Sequence, residues 1–450
     1  MDIKDKNVTV VGLGISGKAA SVLLSKKGAH VYATDANNSE GLRKTASQLR
    51  KKGIRVDLGL CRKSIVESSD MLVVSPGVRD SAEPLTIARS LSIPVVGEIE
   101  LASWFSKVDI IAVTGTNGKS TIVTLIGLML KASGKDPLVC GNIGKAFSGL
   151  VLSVKKHQPI ILETSSFQLK SIDRFRPRIS LISNITGNHL DMHSDFNDYF
   201  SAKKNIYKNQ GENDFCVLNY DDKNLRSVKP KPNAKIYFYS LKKNVTGAFL
   251  DKGNFVLNMN GERKKVCSVS DILLSGGHNF SDILAACCCA HLSGATCEGM
   301  RKALRNFKGL PHRCEDVVTF DGVRYIDDSK ATSVDACASA LKAYSGKVVL
   351  IAGGRDKESD FRAIAELVRK RVKSIIAIGE AKDKIIDAFS GATKTYKASC
   401  MVEAVGIAKD KSRPGDIVLL SPMCASFDMY KSYSDRGTAF KKAVLKLMAG

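Results

Sequence analysis

The stretch DIIAVTGTNGKSTIVT, residues 109–124, decides the fold. Its apolar start, Ile110–Val113, reads as a buried strand, and the TIVTLIGLML that follows Ser120 reads as an apolar helix. Between them Gly118, Lys119 and Ser120 form the Gly-Lys-Ser core of a P-loop. In such a loop backbone N–H groups face phosphates, the lysine reaches the β/γ region and the hydroxyl binds Mg2+. The loop is a variant, because Val113 stands where the consensus has its first glycine. A mere glycine turn does not require the apolar helix that follows directly, so a nucleoside triphosphate site is expected here.

A second glycine loop lies upstream, in NVTVVGLGISGKAA, residues 7–20. Gly12, Gly14 and Gly17 have the G-x-G-x-x-G spacing between a strand and a helix. Asp35 ends the next strand, HVYATD, about where a ribose-binding acid stands. Taken alone, these residues favour a nicotinamide-dependent dehydrogenase. Their physics is broader than that: a tight turn and a helix N-terminus accept an anionic group, and a UDP-sugar carries the same pyrophosphate.

Downstream of the P-loop, apolar strands end in polar residues. Glu163 ends PIILE, and His189 follows the next such strand in SNITGNHLDMH. A lone strand-end acid or histidine is usually structural, but here two occur at successive strand ends, where ligands of a P-loop Mg2+ site belong. Lys203 is the sharpest single clue. In DFNDYFSAKKNIYKNQ, residues 195–210, Phe196, Tyr199, Phe200, Ile206 and Tyr207 mark one helical face, and Lys203 takes the i+7 place on it. Such a lysine either snorkels or aims into a site, where it can be chemically modified.

The totals set bounds. A chain of 450 residues exceeds one ordinary core, so two to four domains are expected. Strand-like and helical runs alternate throughout, which predicts α/β architecture. Hydrophobic residues make up 44%, and no apolar run approaches the ~18–20 residues that span a bilayer. The start MDIKDKNVTVVG enters a strand at once, so no signal peptide is expected. Twelve cysteines without a C-x-x-C pair fit a reducing, cytoplasmic compartment. Cys287, Cys288 and Cys289, with His291 and Cys297 nearby, allow a metal site, but read better as small hydrophobes on a packed helix. The net charge of +23 raises the question of a nucleic-acid partner. The lysines are scattered without interleaved aromatics, so a solvated surface that steers anionic substrates is expected, and nucleic acid is not.

In combination these motifs resemble the Mur ligase family, and within it the D-glutamate-adding branch. The resemblance runs over essentially the whole chain and rests on GLGISG, SPGV, TGTNGKST, GNIG, ETSSFQL, NHLDMH, GLPHR, DDSKATS, GGRDK and SPMCASFDMYKSYSDRG in family order. It implies three α/β domains: a Rossmann-like domain over 1–97 for the UDP-sugar, a central P-loop domain over 98–309 for ATP, and a Rossmann-like domain over 310–450 for the amino acid. It implies ATP-driven amide formation between D-glutamate and UDP-N-acetylmuramoyl-L-alanine through an acyl phosphate. A monomer in the bacterial cytoplasm, without a membrane partner, is expected.

The resemblance also implies roles. For ATP these fall on Gly115, Thr116, Asn117, Gly118, Lys119, Ser120, Thr121, Asn279, Asp282, Arg313 and Asp328. Ser120 and Glu163 take a first Mg2+; His189 and a carbamylated Lys203 take a second. Lys119, His189 and Lys203 form the catalytic set. Gly14, Ile15, Ser16, Asp35, Ala36, Asn37, Ser75, Gly77, Asn142, Ser165 and Gln168 match UDP-sugar positions. Lys330, Thr332, Lys357, Ser426, Phe427 and Tyr433 match the D-glutamate pattern, and the D-N-P-R motif of the diaminopimelate- and lysine-adding relatives is absent. Departures are Asp282 for a usual asparagine, Asn188 for an aspartate, Ala36-Asn37 for threonine-arginine, and Tyr433 for a phenylalanine.

Overall fold

The computed structural model describes residues 2–186, 193–229, 232–356 and 358–449. His189 and Lys357, both expected site residues, lie outside the described residues, as does Asn188. The chain divides into two compact units, Met1–Phe307 and Lys308–Gly450.

The first unit holds two sheets. Strands β1 (Asn7–Val11), β2 (His30–Asp35), β3 (Arg55–Leu58), β4 (Met71–Val74) and β5 (Val95–Gly97) pair in the order β3-β2-β1-β4-β5, all parallel. Every residue of β4 is buried, as befits a parallel strand covered on both faces. Strand order reverses between β1 and β4, and ligands of open α/β sheets gather at the carboxyl ends there.

The second sheet comprises β6 (Ile110–Thr114), β7 (Leu138–Gly141), β8 (Ile160–Glu163), β9 (Ile179–Ile182), β10 (Phe215–Asn219), β11 (Lys235–Ser240), β12 (Gly247–Asp251), β13 (Asn254–Met259) and β14 (Glu262–Ser268). Its order is β14-β13-β12-β11-β10-β9-β6-β8-β7. The pairs from β7 to β12 are parallel, and β12, β13 and β14 form an antiparallel meander. Val113 pairs with Glu163 on one side and Leu181 on the other, so the ends of three apolar strands stand level. The helix Lys119–Ala132 packs against helices Gly277–Leu292 and Cys297–Asn306. Cys287, Cys288 and Cys289 are buried in the first of these, and their thiols are pushed up by burial. Among the described residues, those cysteines join no group close enough to share a metal ion.

The second unit has one sheet, β15 (Glu315–Phe320), β16 (Val323–Asp327), β17 (Val348–Gly353), β18 (Val372–Ile378), β19 (Lys394–Lys397) and β20 (Ile417–Leu420), in the order β15-β16-β20-β17-β18-β19. Only the edge strand β15 pairs antiparallel. Ile326, Leu350, Ile375 and Leu419 face helices Val334–Ala343, Ala365–Arg371 and Lys382–Phe389, while their strand neighbours Tyr325, Val349, Ile376 and Val418 face helices Met401–Lys411 and Tyr433–Ala449. Among the described residues, no helix is long and apolar enough to cross a membrane.

Candidate active site

The first glycine loop closes over the end of β1. Gly17 lets the following helix sit directly on it, since a Cβ there would lie 1.8 Å from Gly12 O. Ser75 Oγ, from the end of β4, donates to Gly12 O at 2.8 Å. Both Asp35 oxygens accept backbone N–H groups, Oδ2 from Leu13 at 2.7 Å and Oδ1 from Asn37 at 2.9 Å. Asp35 thus shapes the loop itself, a role its spacing alone does not announce. A cleft of about 1140 Å³ runs along these strand ends, and Gly14, Ile15, Ser16, Asp35, Ala36, Asn37, Ser75 and Gly77 all line it. Every residue expected from the first domain is therefore brought to one place.

A second cavity, of about 520 Å³, shares Ser75, Pro76, Val78, Arg79 and Ser81 with the cleft and reaches Gln168, Lys170 and His193. Ser165 and Gln168 form a capping box: Ser165 Oγ accepts from Gln168 N at 3.3 Å, and Gln168 Oε1 accepts from Ser165 N at 2.9 Å.

The P-loop is packed from below. Gly118 has φ +85°, and a Cβ on it would come 2.2 Å from Asp282 Oδ1. The helix Gly277–Leu292 therefore presses Asp282 against the loop. Asn279, earlier on that helix, donates to Ser275 O at 2.8 Å. Lys119 Nζ folds back onto Gly115 O and Thr116 O, each at 2.8 Å. Asn117 N donates to Asn184 Oδ1 at 2.9 Å, and Thr116 Oγ1 lies 2.9 Å from the Tyr199 hydroxyl. Burial pushes that phenol up to about 12, so it stays protonated. Ser120 and Thr121 are buried in the first turn of the helix.

Lys203 comes to the same loop. It is 2% exposed, donates from Nζ to Gly115 O at 2.9 Å and to Thr114 Oγ1 at 3.4 Å, and stands 4.6 Å over the Tyr199 ring. The snorkelling reading fails, because the amine is itself enclosed. Burial, and then the charge of Lys119, push the amine well below the ordinary lysine range. Glu163 is buried across the paired strand. Its Oε1 accepts from Asn142 Nδ2 at 2.9 Å, and its Oε2 has no hydrogen-bond partner among the described residues. A buried carboxylate oxygen without a donor is destabilising, so Glu163 fits a cation ligand, with the Ser120 hydroxyl on the helix after the adjacent strand.

In the second unit, β16 delivers Asp328, Lys330 and Thr332. Asp328 accepts from Ser421 Oγ at 2.9 Å and Cys314 N at 3.2 Å; burial still pushes its carboxyl up to about 7, against those bonds and the charge of Arg313. Lys330 N donates to His312 O at 3.0 Å and Thr332 N to Lys330 O at 2.9 Å. Lys330 Nζ stands 5.4 Å over the Tyr433 ring. Ser426 is buried, with its carbonyl accepting from Tyr430 N at 2.8 Å, and Phe427 beside it is exposed.

Sequence reasoning missed Arg436. It is 1% exposed and staples the site: Nε donates to Ser329 Oγ at 3.0 Å, Nη2 to Ser329 O at 2.8 Å and Nη1 to Cys424 O at 3.0 Å. Its place in YSDRG, within an otherwise helical segment, carried no signal of burial. Arg79 and His193 were missed likewise: Arg79 lies just past SPGV, and His193 ends NHLDMH, in which His189 was the residue singled out.

Comparison with known proteins gives a consistent picture. Residues 6–97 match the Mur ligase MurD-like N-terminal domain, residues 113–290 the Mur ligase middle domain, and residues 312–424 the Mur ligase glutamate ligase domain. The UDP-N-acetylmuramoylalanine–D-glutamate ligase of Pelotomaculum thermopropionicum is 42% identical over 455 residues, covering 100% of this chain and 99% of the relative. That of Acidobacterium capsulatum is 39% identical, covering 99% and 97%. Among solved structures, the UDP-N-acetylmuramate-alanine ligase of Thermotoga maritima aligns with a TM-score of 0.60 at 19% identity, covering 98% of this chain and 100% of the other. MurF of Acinetobacter baumannii aligns with a TM-score of 0.59 at 17% identity, covering 98% and 93%. At those identities the structures speak for the fold.

Proposed function

The chain belongs to the Mur ligase family, and from that premise we propose that it joins D-glutamate to UDP-N-acetylmuramoylalanine in an ATP-driven step of peptidoglycan precursor synthesis. Residues 1–97 hold the UDP end, residues 98–309 hold ATP and residues 310–450 hold the amino acid. The substrate carboxylate attacks the γ-phosphorus of ATP, giving an acyl phosphate and ADP. The amine of D-glutamate then attacks the acyl carbon, phosphate leaves, and the nitrogen gives up a proton. A carboxylate is a poor electrophile and its phosphoryl anhydride a good one, so the protein's work is positioning and charge neutralisation.

Lys119, freed from the loop carbonyls, reaches the β/γ-phosphates, and the loop amides hold the rest of the chain of phosphates. Ser120 and Glu163 would hold one Mg2+, and His189 and Lys203 a second, and ions held there would supply further positive charge. Lys203 is suited to this because a neutral amine adds to CO2: a C–N bond forms, one proton leaves, and the side chain ends in a carboxylate. Asn279, Asp282, Arg313 and Asp328 complete the nucleotide set. Lys330, Lys357, Thr332, Ser426, Phe427 and Tyr433 hold D-glutamate, whose two carboxylates suit a pair of ammonium groups.

The observation that carries this reading is the enclosed Lys203 amine, 2.9 Å from a P-loop carbonyl. The test is phosphate release from ATP with UDP-N-acetylmuramoyl-L-alanine, adding D-glutamate, L-glutamate, glycine, L-alanine, L-lysine or diaminopimelate one at a time. Release with D-glutamate alone is expected. Release with another amino acid keeps the ligase and reassigns the third-domain pocket. No release from folded protein returns the first loop to a dinucleotide reading.

A further inference from the structure

The 520 Å³ cavity is lined by a histidine that the reaction above does not use. His193 is 3% exposed, with Nδ1 3.0 Å from Asp198 Oδ2 and Nε2 2.9 Å from Ser166 Oγ. A carboxylate only accepts, so Nδ1 donates to Asp198, while Nε2 and the Ser166 hydroxyl share the second hydrogen bond. Asp198 is the ionised partner: burial opposes its charge, but the His193 bond and Lys170 hold its carboxyl below the usual carboxylate range. The imidazole stacks on Phe167 at 5.2 Å and 16° and meets Tyr199 edge-on at 5.3 Å. Ring plane and both nitrogens are thereby fixed. The same order of groups drives nucleophilic catalysis in hydrolases. Here Ser166 is 2% exposed, so no carbonyl substrate can reach its oxygen.

What the three residues join is more telling. Ser166 opens the helix Ser166–Lys170, beside Ser165 and Gln168 at the sugar end of the cavity. Asp198 belongs to the helix Phe196–Lys204, which carries Lys203 and also Tyr199, whose hydroxyl meets Thr116 of the P-loop at 2.9 Å. Lys170 adds a link on the first side, 3.5 Å from Asp198 and 3.3 Å from Asp80 on the loop that follows β4. One imidazole thus ties the substrate turn to the element that props the phosphate site.

We propose that His193 is a positioning residue that couples the UDP-sugar cavity to the P-loop, holding the Ser165–Gln168 turn and the Lys203 helix in one register. Filling the cavity fixes the turn; through Ser166, His193 and Asp198 the turn fixes the helix that aligns Lys203 and Thr116. The proposal rests on the ligase reading for the identity of the two ligands.

The test compares wild type, His193→Ala and His193→Gln as full-length protein with Mg2+. Calorimetry measures the affinity for a non-hydrolysable ATP analogue with and without UDP-N-acetylmuramoyl-L-alanine, and kinetics gives kcat and each KM. In wild type the UDP-substrate is expected to tighten analogue binding at least fivefold. His193→Ala is expected to lose that tightening and at least tenfold in kcat, with the KM for D-glutamate changed less than twofold. His193→Gln is expected to recover most of both, because its amide N–H donates to Asp198 and its carbonyl accepts from Ser166. Undiminished coupling in His193→Ala, or equal loss in the alanine and glutamine variants, overturns the proposal. If His193→Ala does not fold, Ser166→Ala breaks one arm of the relay without changing its core and is read the same way. Binding coupling needs no turnover, so it is measured even if the amino acid used is not D-glutamate.

Discussion

A lysine walled off from water prefers its uncharged form, and the P-loop holds such a lysine in Lys203. Replacing Lys203 by alanine removes the group that the proposal makes a carboxylate, and ligation is expected to fall by roughly 100-fold or more, the scale of losing one electrostatic group from an active site. High bicarbonate or acetate should restore part of the rate by placing a free carboxylate in the gap. Full activity in the unsupplemented variant would remove the carbamate from the mechanism. Asp328 gives a second residue-scale prediction. Its folded value of about 7 exceeds the unfolded 3.8, so the folded chain keeps a proton that the unfolded chain releases. Stability from this group is full below about pH 4 and declines as pH rises to about 7, by about 1.4 kcal/mol per unit of displacement. Asp328→Asn removes that loss. Its melting temperature relative to wild type, measured without ligand, is expected to rise between pH 5 and pH 8; a constant difference across that range would contradict the buried, protonated acid. Lys203 was legible in the sequence because a charged residue broke an apolar stripe. Arg436 and His193 were not: Arg436 sits among polar neighbours and bonds Ser329 and Cys424, and His193 is enclosed by Ser166 and Phe167 of one helix and Asp198 and Tyr199 of another, contacts that no spacing announces.

At the scale of elements, the two glycine loops show which contacts a sequence can announce. The strands before them are apolar and fully parallel-paired, so their length and their ends follow from composition. The antiparallel meander β12–β14 did not follow: β14 reads ERKKVCS, with its first four residues exposed, and resembles a solvated loop until its neighbour supplies hydrogen bonds. Within the first loop the glycines differ in kind. Gly17 is required by the fold, since a Cβ would strike Gly12 O, whereas nothing lies within 4 Å of a Cβ on Gly14. Gly14 nevertheless lines the cleft, at the N-terminus of the helix Ile15–Lys26, the kind of place that accepts an anionic group. Gly17→Ala is therefore expected to lower the melting temperature of the first unit by several degrees, the effect of a loss of about 1–3 kcal/mol for overpacking. Gly14→Ala is expected to leave the melting temperature within about a degree and to weaken binding of the UDP-substrate tenfold or more. Equal effects of the two on stability would mean that the loop geometry is set by something other than the Gly12–Gly17 contact.

For the whole molecule, the question is where folding units end relative to functional ones. The sheet of the second unit is covered on both faces by its own helices, and its two apolar clusters draw every buried member from residues after Phe307. The first unit, by contrast, joins β1, β4, β6 and β8 in one continuous core: Val10, Leu24, Ile99, Ala112, Phe147 and Leu162 belong to the same cluster. Glu100 seals that join, accepting from Asp173 N, Arg174 N and Phe175 N, each at 2.9 Å. The first two of the three blocks read from the sequence therefore share one apolar core while the third keeps its own, because a charged residue inside a short helix gives no hint that its carboxylate is buried under three amides. The consequence is measurable. A fragment of residues 308–450 is expected to unfold in one cooperative thermal transition without the rest of the chain, and to show no ATP hydrolysis. A fragment of residues 1–307 is expected to bind the UDP-substrate as tightly as the full chain, because the cleft and cavity lie wholly within it. A fragment of residues 1–97 alone is expected to aggregate or remain unfolded, since it exposes the face of the helix Ile15–Lys26 that packs against the turn of Phe147. A cooperatively folded 1–97 fragment would show that the shared core is an interface between separable domains and that the functional and folding boundaries coincide after all.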